Sequence, residues 1–243
     1  MAMKEFEIKQ EAYELRREFG LSATEPIRFK SLLLKEGILT HFSPLEDNFS
    51  GMAIKANGRK FILINSLHPI GRQHFTICHE LFHLYIDKNF ETHRCQTALF
   101  NKKNKSEYEA DSFASHFLLP EQGLFAVIPK GERKKNSITL SSIIKIEHYY
   151  ACSRRAIANR LMFLSLITTE YRDELCQNVK MTAQLHGYPV GLYNPGNDGE
   201  LWGSYGSLAK LLFDNEKISE GHYASLMDDI GIDIFKNFEE NGD

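Results

Sequence analysis

The chain is short of several things. Its 243 residues include four cysteines, Cys78, Cys95, Cys152 and Cys176, and no two form a CxxC pair. That argues against a four-thiolate zinc site. No apolar run approaches the roughly 18 residues needed to span a bilayer as a helix. The opening stretch MAMKEFEIKQ lacks the apolar core of a signal peptide. Net charge is only -3, so no global basic field draws the chain onto DNA or a membrane. Internal repeats and low-complexity tracts are absent as well. These absences point to a cytoplasmic protein with reduced thiols and no membrane partner. The length suits one large domain, or a catalytic domain with an appendage.

What is present reads as alternating helices and short strands. IKQEAYELRREFG is an amphipathic helix ended by Gly20. EPIRFKSLLLKEG predicts a second helix with Pro26 at its first position and Gly37 beyond its end. GILTHF is a strand. In GMAIKANGRKFILIN, two apolar runs flank Asn57-Gly58, a pair that favours a tight hairpin turn. PKGERKKNS reads as a basic, mobile linker. The next segment reads as two helices around a turn, with Ser153 capping the second. GYPVGLYNPGNDG reads as a loop, and LWGSYGSLAKLLFDNEKISEGHYASLMDDIGIDIF as two or three short helices, Ser219 capping the second.

FTICHELFHLYI, Phe75 to Ile86, is apolar nearly all round, yet it holds His79, Glu80 and His83. On a helix each residue advances about 100°, so His83 lies about 40° from His79 and Glu80 about 100° away. Two imidazoles on one face can grip one ion, with the carboxylate beside them. In the HExxH pattern the histidines bind zinc and the glutamate is the base acting on water. Random placement of the chain's 10 histidines and 22 glutamates gives about 0.04 such matches. Burying two imidazoles and a carboxylate in an apolar helix without partners is costly, which also favours a site.

A catalytic zinc takes a third protein ligand. EYEADSFASHFLLP offers Glu107 and Glu109. Glu107 shares a face with Ala110, Asp111, Ala114 and Leu118, whereas Glu109 sits roughly opposite. Small Ala110 and Ala114 allow close approach to the His79 helix. Helical phase therefore favours Glu107 as ligand, with Asp111 accepting a hydrogen bond from a ligand imidazole.

These stretches resemble the ImmA/IrrE family of zinc metallopeptidases, a gluzincin-like group. FILINSLHPIGRQHFTICHELFHLYI is similar to the family's strand, Gly-Arg-Gln turn and HExxH helix, and EYEADSFASHFLLP to its E-x-x-A-N element. YYACSRRAIANRLMFLSLI resembles the helix-turn-helix-like segment that follows. The resemblance implies zinc held by His79, His83 and Glu107, with Glu80 as catalytic base. It also implies a helix-turn-helix transcriptional repressor as the protein substrate, cleaved to relieve repression. Three positions depart from the pattern. Phe82 stands where glycine is common, Asp111 replaces asparagine, and Leu119-Pro120 lacks a methionine.

The expected fold is α+β, a small antiparallel or mixed sheet packed on a zinc-binding helical core. A helix-turn-helix-like segment and a helical C-terminal region follow. The expected units are residues 1–130 (catalytic), 137–168 (helix-turn-helix-like) and 169–243 (C-terminal). Tyr85, His93, His148, Tyr149 and Tyr150 are candidates for stabilising an oxyanion. An alternative is a DNA-binding transcriptional regulator using residues 139–165, contacting nucleic acid through Arg154, Arg155 and Arg160. Another is a pseudoenzyme or toxin-like partner in which zinc is only a staple.

Overall fold

The computed structural model describes residues 3–88 and 104–235. Helix α1 (Glu5–Glu18) turns Ile8, Ala12 and Leu15 into the core. Gly20 follows at φ +74°, a backbone state that only glycine adopts without Cβ strain. Helix α2 (Phe29–Lys35) starts three residues after Pro26, not at it. The reason lies in α1. The buried Arg16 guanidinium donates to the carbonyls of Ser22 at 2.7 Å and Glu25 at 2.6 Å, which fixes that stretch as an irregular connection.

Strand β1 (Ile38–Ser43) follows, then a hairpin of β2 (Gly51–Ala56) and β3 (Arg59–Asn65). Asn57 and Gly58 both take positive φ, 50° and 75°, as a tight hairpin turn requires. β2 and β3 are antiparallel, while β1 and β3 are parallel. A short β4 (Leu201–Trp202) from the C-terminal part joins β1 antiparallel, giving the order β2-β3-β1-β4. The sheet is therefore mixed, and β2 is an edge strand.

Alternation sends Ile38, Phe42, Ala53, Ile62 and Ile64 to the buried face. Helix α3 (Ile70–Tyr85) crosses that face. Helix α4 (Lys105–Leu118) packs against both α3 and α1. Then come α5 (Glu121–Val127), α6 (Leu140–Tyr150) and α7 (Arg154–Phe163). Ser153 caps α7 by accepting from the Ala156 amide, as its sequence position predicts. Gly71 of α3 lies against the turn between α6 and α7, where a Cβ would come within 2.8 Å of Cys152 and Ser153 backbone. Ile143, Ile146, Tyr150, Ile157 and Leu161 belong to the same core as α1 and the sheet.

The stretch expected to be a mobile linker is fastened at both ends. The Arg133 guanidinium donates to the carbonyls of Ile128 and Phe125. The Asn136 amide donates to the Leu166 carbonyl at 2.8 Å. The C-terminal part adds α8 (Thr169–Leu175), α9 (Val179–Leu185), α10 (Tyr205–Asp214) and α11 (Glu220–Asp228), the last capped by Ser219. Between α9 and β4, the stretch read as a loop straps the start of α3. The Asn194 carbonyl accepts from the Ile70 amide at 3.0 Å. Gln73 donates to the Gly196 carbonyl and accepts from Asn197. Among the described residues no helix is long and apolar enough to cross a membrane.

Candidate metal centre

Helix α3 is buried along almost its whole length because it lies between the sheet and α4. His79, Glu80 and His83 are all at most 1% exposed. The small face of α4 brings that helix close, with Ala110 and Ala114 fully buried. Phe82 and Phe113 meet at 5.6 Å between ring centroids, and Phe113 stacks on Phe117 at 5.4 Å. This packing places Glu107, on the first turn of α4, over the histidines.

Three side chains converge there. Nε2 of His79 and Nε2 of His83 are 3.4 Å apart. Glu107 Oε2 is 3.4 Å from the first, and Oε1 is 3.6 Å from the second. The other ring nitrogens face carboxylates. His79 Nδ1 is 3.0 Å from Asp111 Oδ1, and His83 Nδ1 is 3.2 Å from Asp87 Oδ2. Asp87 also accepts from the Ser106 hydroxyl at 2.9 Å, which ties the end of α3 to the start of α4. A carboxylate accepts only from a protonated nitrogen, so in each neutral imidazole the proton sits on Nδ1. The Nε2 lone pairs are thereby turned toward each other and toward the Glu107 carboxylate.

Acceptors crowded in this way repel unless a cation lies between them. A tetrahedral zinc with bonds of about 2.1 Å separates its ligands by about 3.4 Å, which matches the spacing of the two nitrogens and of each nitrogen from its nearer Glu107 oxygen. The donor set of two nitrogens and one carboxylate oxygen also suits a catalytic zinc. Among the described residues, His79, His83 and Glu107 form a group able to hold a metal ion.

Glu80 directly follows His79 on α3. A Cβ on Gly51 would come within 3.3 Å of its Oε1 and 2.6 Å of the Thr76 methyl. The absent side chain at Gly51 thus lets the edge strand β2 pass close to Glu80.

A family model for peptidase M78, the IrrE N-terminal-like domain, matches residues 34–162, more than half of the chain. The chain belongs to the M78 peptidase family. No curated protein matches it. A Mycobacterium tuberculosis transcriptional regulator of known structure is 16% identical, with a TM-score of 0.43. The match covers 68% of this chain and 49% of that one, so the chain spans about half of that protein's length.

Against the M78 pattern, the structure accounts for two departures. Phe82, in place of glycine, is buried against Phe113 and meets His83 edge-on at 5.5 Å. Asp111 is buried and lies on His79, a contact that needs only an acceptor oxygen. Nothing in the structure explains the missing methionine.

Of the two acidic candidates on α4, Glu107 lies at the histidines and Glu109 does not. Glu109 Oε1 accepts from the Met3 amide at 2.7 Å. Two of the oxyanion candidates, His148 and Tyr150, are hydrogen-bonded elsewhere. Tyr85 packs edge-on to Phe19 and under Lys60. His148 meets the Tyr193 hydroxyl, Tyr150 donates to the Thr24 carbonyl, and Tyr149 is exposed. His93 and Cys95 lie outside the described residues.

The arginines expected to face DNA are mostly turned inward. Arg154 is 1% exposed and makes two bonds to the buried Glu147, at 3.0 and 2.9 Å. Arg160 is also buried and donates to the Leu119 carbonyl. Only Arg155 remains at the surface. The reason is geometric. Arg154 opens α7 facing α8 and α9, where the Leu175 carbonyl and Thr182 hydroxyl also take its hydrogens.

Asp87 was missed in the sequence. It stands four residues after His83, the spacing at which helical side chains meet, and that spacing is the signal that would have found it.

Proposed function

We propose that this chain is a zinc-dependent endopeptidase acting on a protein substrate. The convergence of His79, His83 and Glu107, with Glu80 next to His79 on the same helix, carries the proposal. The substrate class, a helix-turn-helix repressor, comes from the family resemblance and from nothing in the site itself. Residues 1–130 are assigned as the catalytic unit, 137–168 as the helix-turn-helix-like segment and 169–243 as the C-terminal region. A cytoplasmic setting accords with Cys78 and Cys152, which are buried and unpaired in disulfides.

A divalent ion held by the trio supplies Lewis acidity, lowering the pKa of water and polarising a carbonyl. The chain supplies the rest. Asp111 and Asp87 fix the tautomer and orientation of the imidazoles. Glu80 accepts the proton of the attacking water and returns it to the leaving amine. The edge of β2, which pairs with no further strand among the described residues, takes an extended substrate strand, and Gly51 brings β2 itself beside Glu80.

The test is hydrolysis of a proteome-derived peptide library by zinc-loaded wild type and Glu80→Gln. The wild type is expected to cleave. Glu80→Gln is expected to keep its zinc and lose at least about a hundredfold in rate. Undiminished cleavage by Glu80→Gln, or none by the loaded wild type, overturns the reading. In the second case zinc serves only as a staple.

A further inference from the structure

Arg72 opens the face of α3 that leads to Glu80. It lies one turn before Thr76 and two before Glu80, at the i, i+4, i+8 spacing that keeps side chains on one side of a helix. Its guanidinium is partly buried, and one terminal nitrogen donates to the Ser50 hydroxyl at 3.0 Å. Ser50 immediately precedes Gly51, where the edge strand passes Glu80. Arg72 and Glu80 therefore flank the same stretch of β2.

The placement of this cation is unfavourable on three counts. Its Nε is buried and without a hydrogen-bond partner. Among the described residues no carboxylate forms an ion pair with it, and burial alone depresses its pKa. It also occupies the first turn of a helix, where the macrodipole disfavours positive charge. A partly desolvated guanidinium without a counter-charge costs free energy, and in structural roles it is ordinarily matched by an anion. Arg154 in this same chain is so matched, by Glu147. His68 nearby is held below its ordinary pKa, by burial first and then by the Arg72 charge, so that ring does not offset it. The second terminal nitrogen of Arg72, which does not donate to Ser50, leaves N–H groups that suit a carboxylate.

We propose that Arg72 is the anion subsite of the peptide cleft, receiving a carboxylate of the substrate. The inference rests on the peptidase reading. Eight helical residues rise about 12 Å, which an extended peptide spans in about three to four residues. The carboxylate therefore sits about that far from the bond that is cut. It is either an Asp or Glu side chain or the free end of the peptide.

The experiment profiles cleavage of a proteome-derived peptide library by zinc-loaded wild type, Arg72→Gln and Arg72→Lys. One copy of the library has all carboxyl ends amidated. The wild type is expected to enrich cleaved peptides with a carboxylate at one fixed distance from the cut. Survival of that enrichment in the amidated library assigns it to a side chain, and its disappearance assigns it to the terminus. In Arg72→Gln the enrichment falls about tenfold while other peptides are still cut, and Arg72→Lys retains part of it. Absence of any acidic enrichment in the wild type overturns the proposal. So does an equal loss across all peptides in both variants, which is what a purely structural role predicts.

A second measurement is independent of turnover. Fluorescence anisotropy compares two labelled heptapeptide pools, random except for one central Glu or Gln, on the same three proteins. Preferential binding of the Glu pool that is lost in Arg72→Gln supports the subsite even if no peptide is cleaved. Equal binding of the two pools, unchanged when their carboxyl ends are amidated, overturns it while leaving the peptidase reading in place.

Discussion

Asp111 gives the sharpest test of how the fold prepares its donors. Its Oδ1 lies 3.0 Å from His79 Nδ1 in a buried position, so it sets which ring nitrogen carries the proton. In Asp111→Ala the Nδ1 hydrogen loses its acceptor in a dry site, and the tautomer with Nε2 protonated is no longer penalised. Removing such a support typically weakens metal binding about 10- to 100-fold, or about 1.4 to 2.7 kcal/mol. Asp111→Asn keeps an acceptor oxygen and is expected to stay within about threefold of wild type. Asp87→Ala acts on His83 in the same sense. Its effect should be smaller, because the contact is longer at 3.2 Å and the carboxylate is less buried than that of Asp111. The assay is zinc competition against a chromophoric chelator at fixed pH, with circular dichroism to confirm folding. An Asp111→Ala protein that binds zinc as tightly as wild type would refute the reasoning, since the carboxylate would then have no part in presenting Nε2.

Two further outcomes follow from the packing. Arg154→Ala leaves the buried Glu147 without its partner and should lower stability by about 3 to 5 kcal/mol in urea denaturation. Pairing it with Glu147→Leu should restore much of the loss, whereas a change below about 1 kcal/mol in the single variant would contradict a buried pair. Acid should also weaken the fold. Burial holds His68, His74 and His116 below the ordinary histidine pKa of 6.5. The unfolded chain therefore takes up protons first as pH falls. Their contribution is intact above about pH 6.5 and is lost below it, so melting temperature should drop from pH 7 toward 5. The drop should be shallower in His74→Gln, and an unchanged profile would argue against a neutral buried His74.

Much of this was legible in the sequence because it depends on local periodicity. The 3.6-residue repeat alone put His79 and His83 on one side of α3 and separated Glu107 from Glu109. Asn57-Gly58 located the hairpin because its backbone requirement is local. The failures share a cause, which is that they depend on partners distant in the chain. α2 starts late because Arg16 holds the preceding carbonyls. β4 is two residues long and exists only because β1 offers it an edge. The strap before it looks like a loop until Gln73 and Ile70 bind it. Arg154 and Arg160 look like surface cations until α8, α9 and the end of α4 close over them. The bonds Arg72 fails to make are equally invisible in one dimension.

The central claim is that three side chains from two helices hold one ion, and metal content tests it most directly. Elemental analysis after zinc loading and desalting should find one zinc per chain in wild type and in Glu109→Ala, and almost none in His79→Ala or Glu107→Ala. A wild type that retains no metal, or a Glu107→Ala protein that retains it fully while Glu109→Ala loses it, would contradict the account.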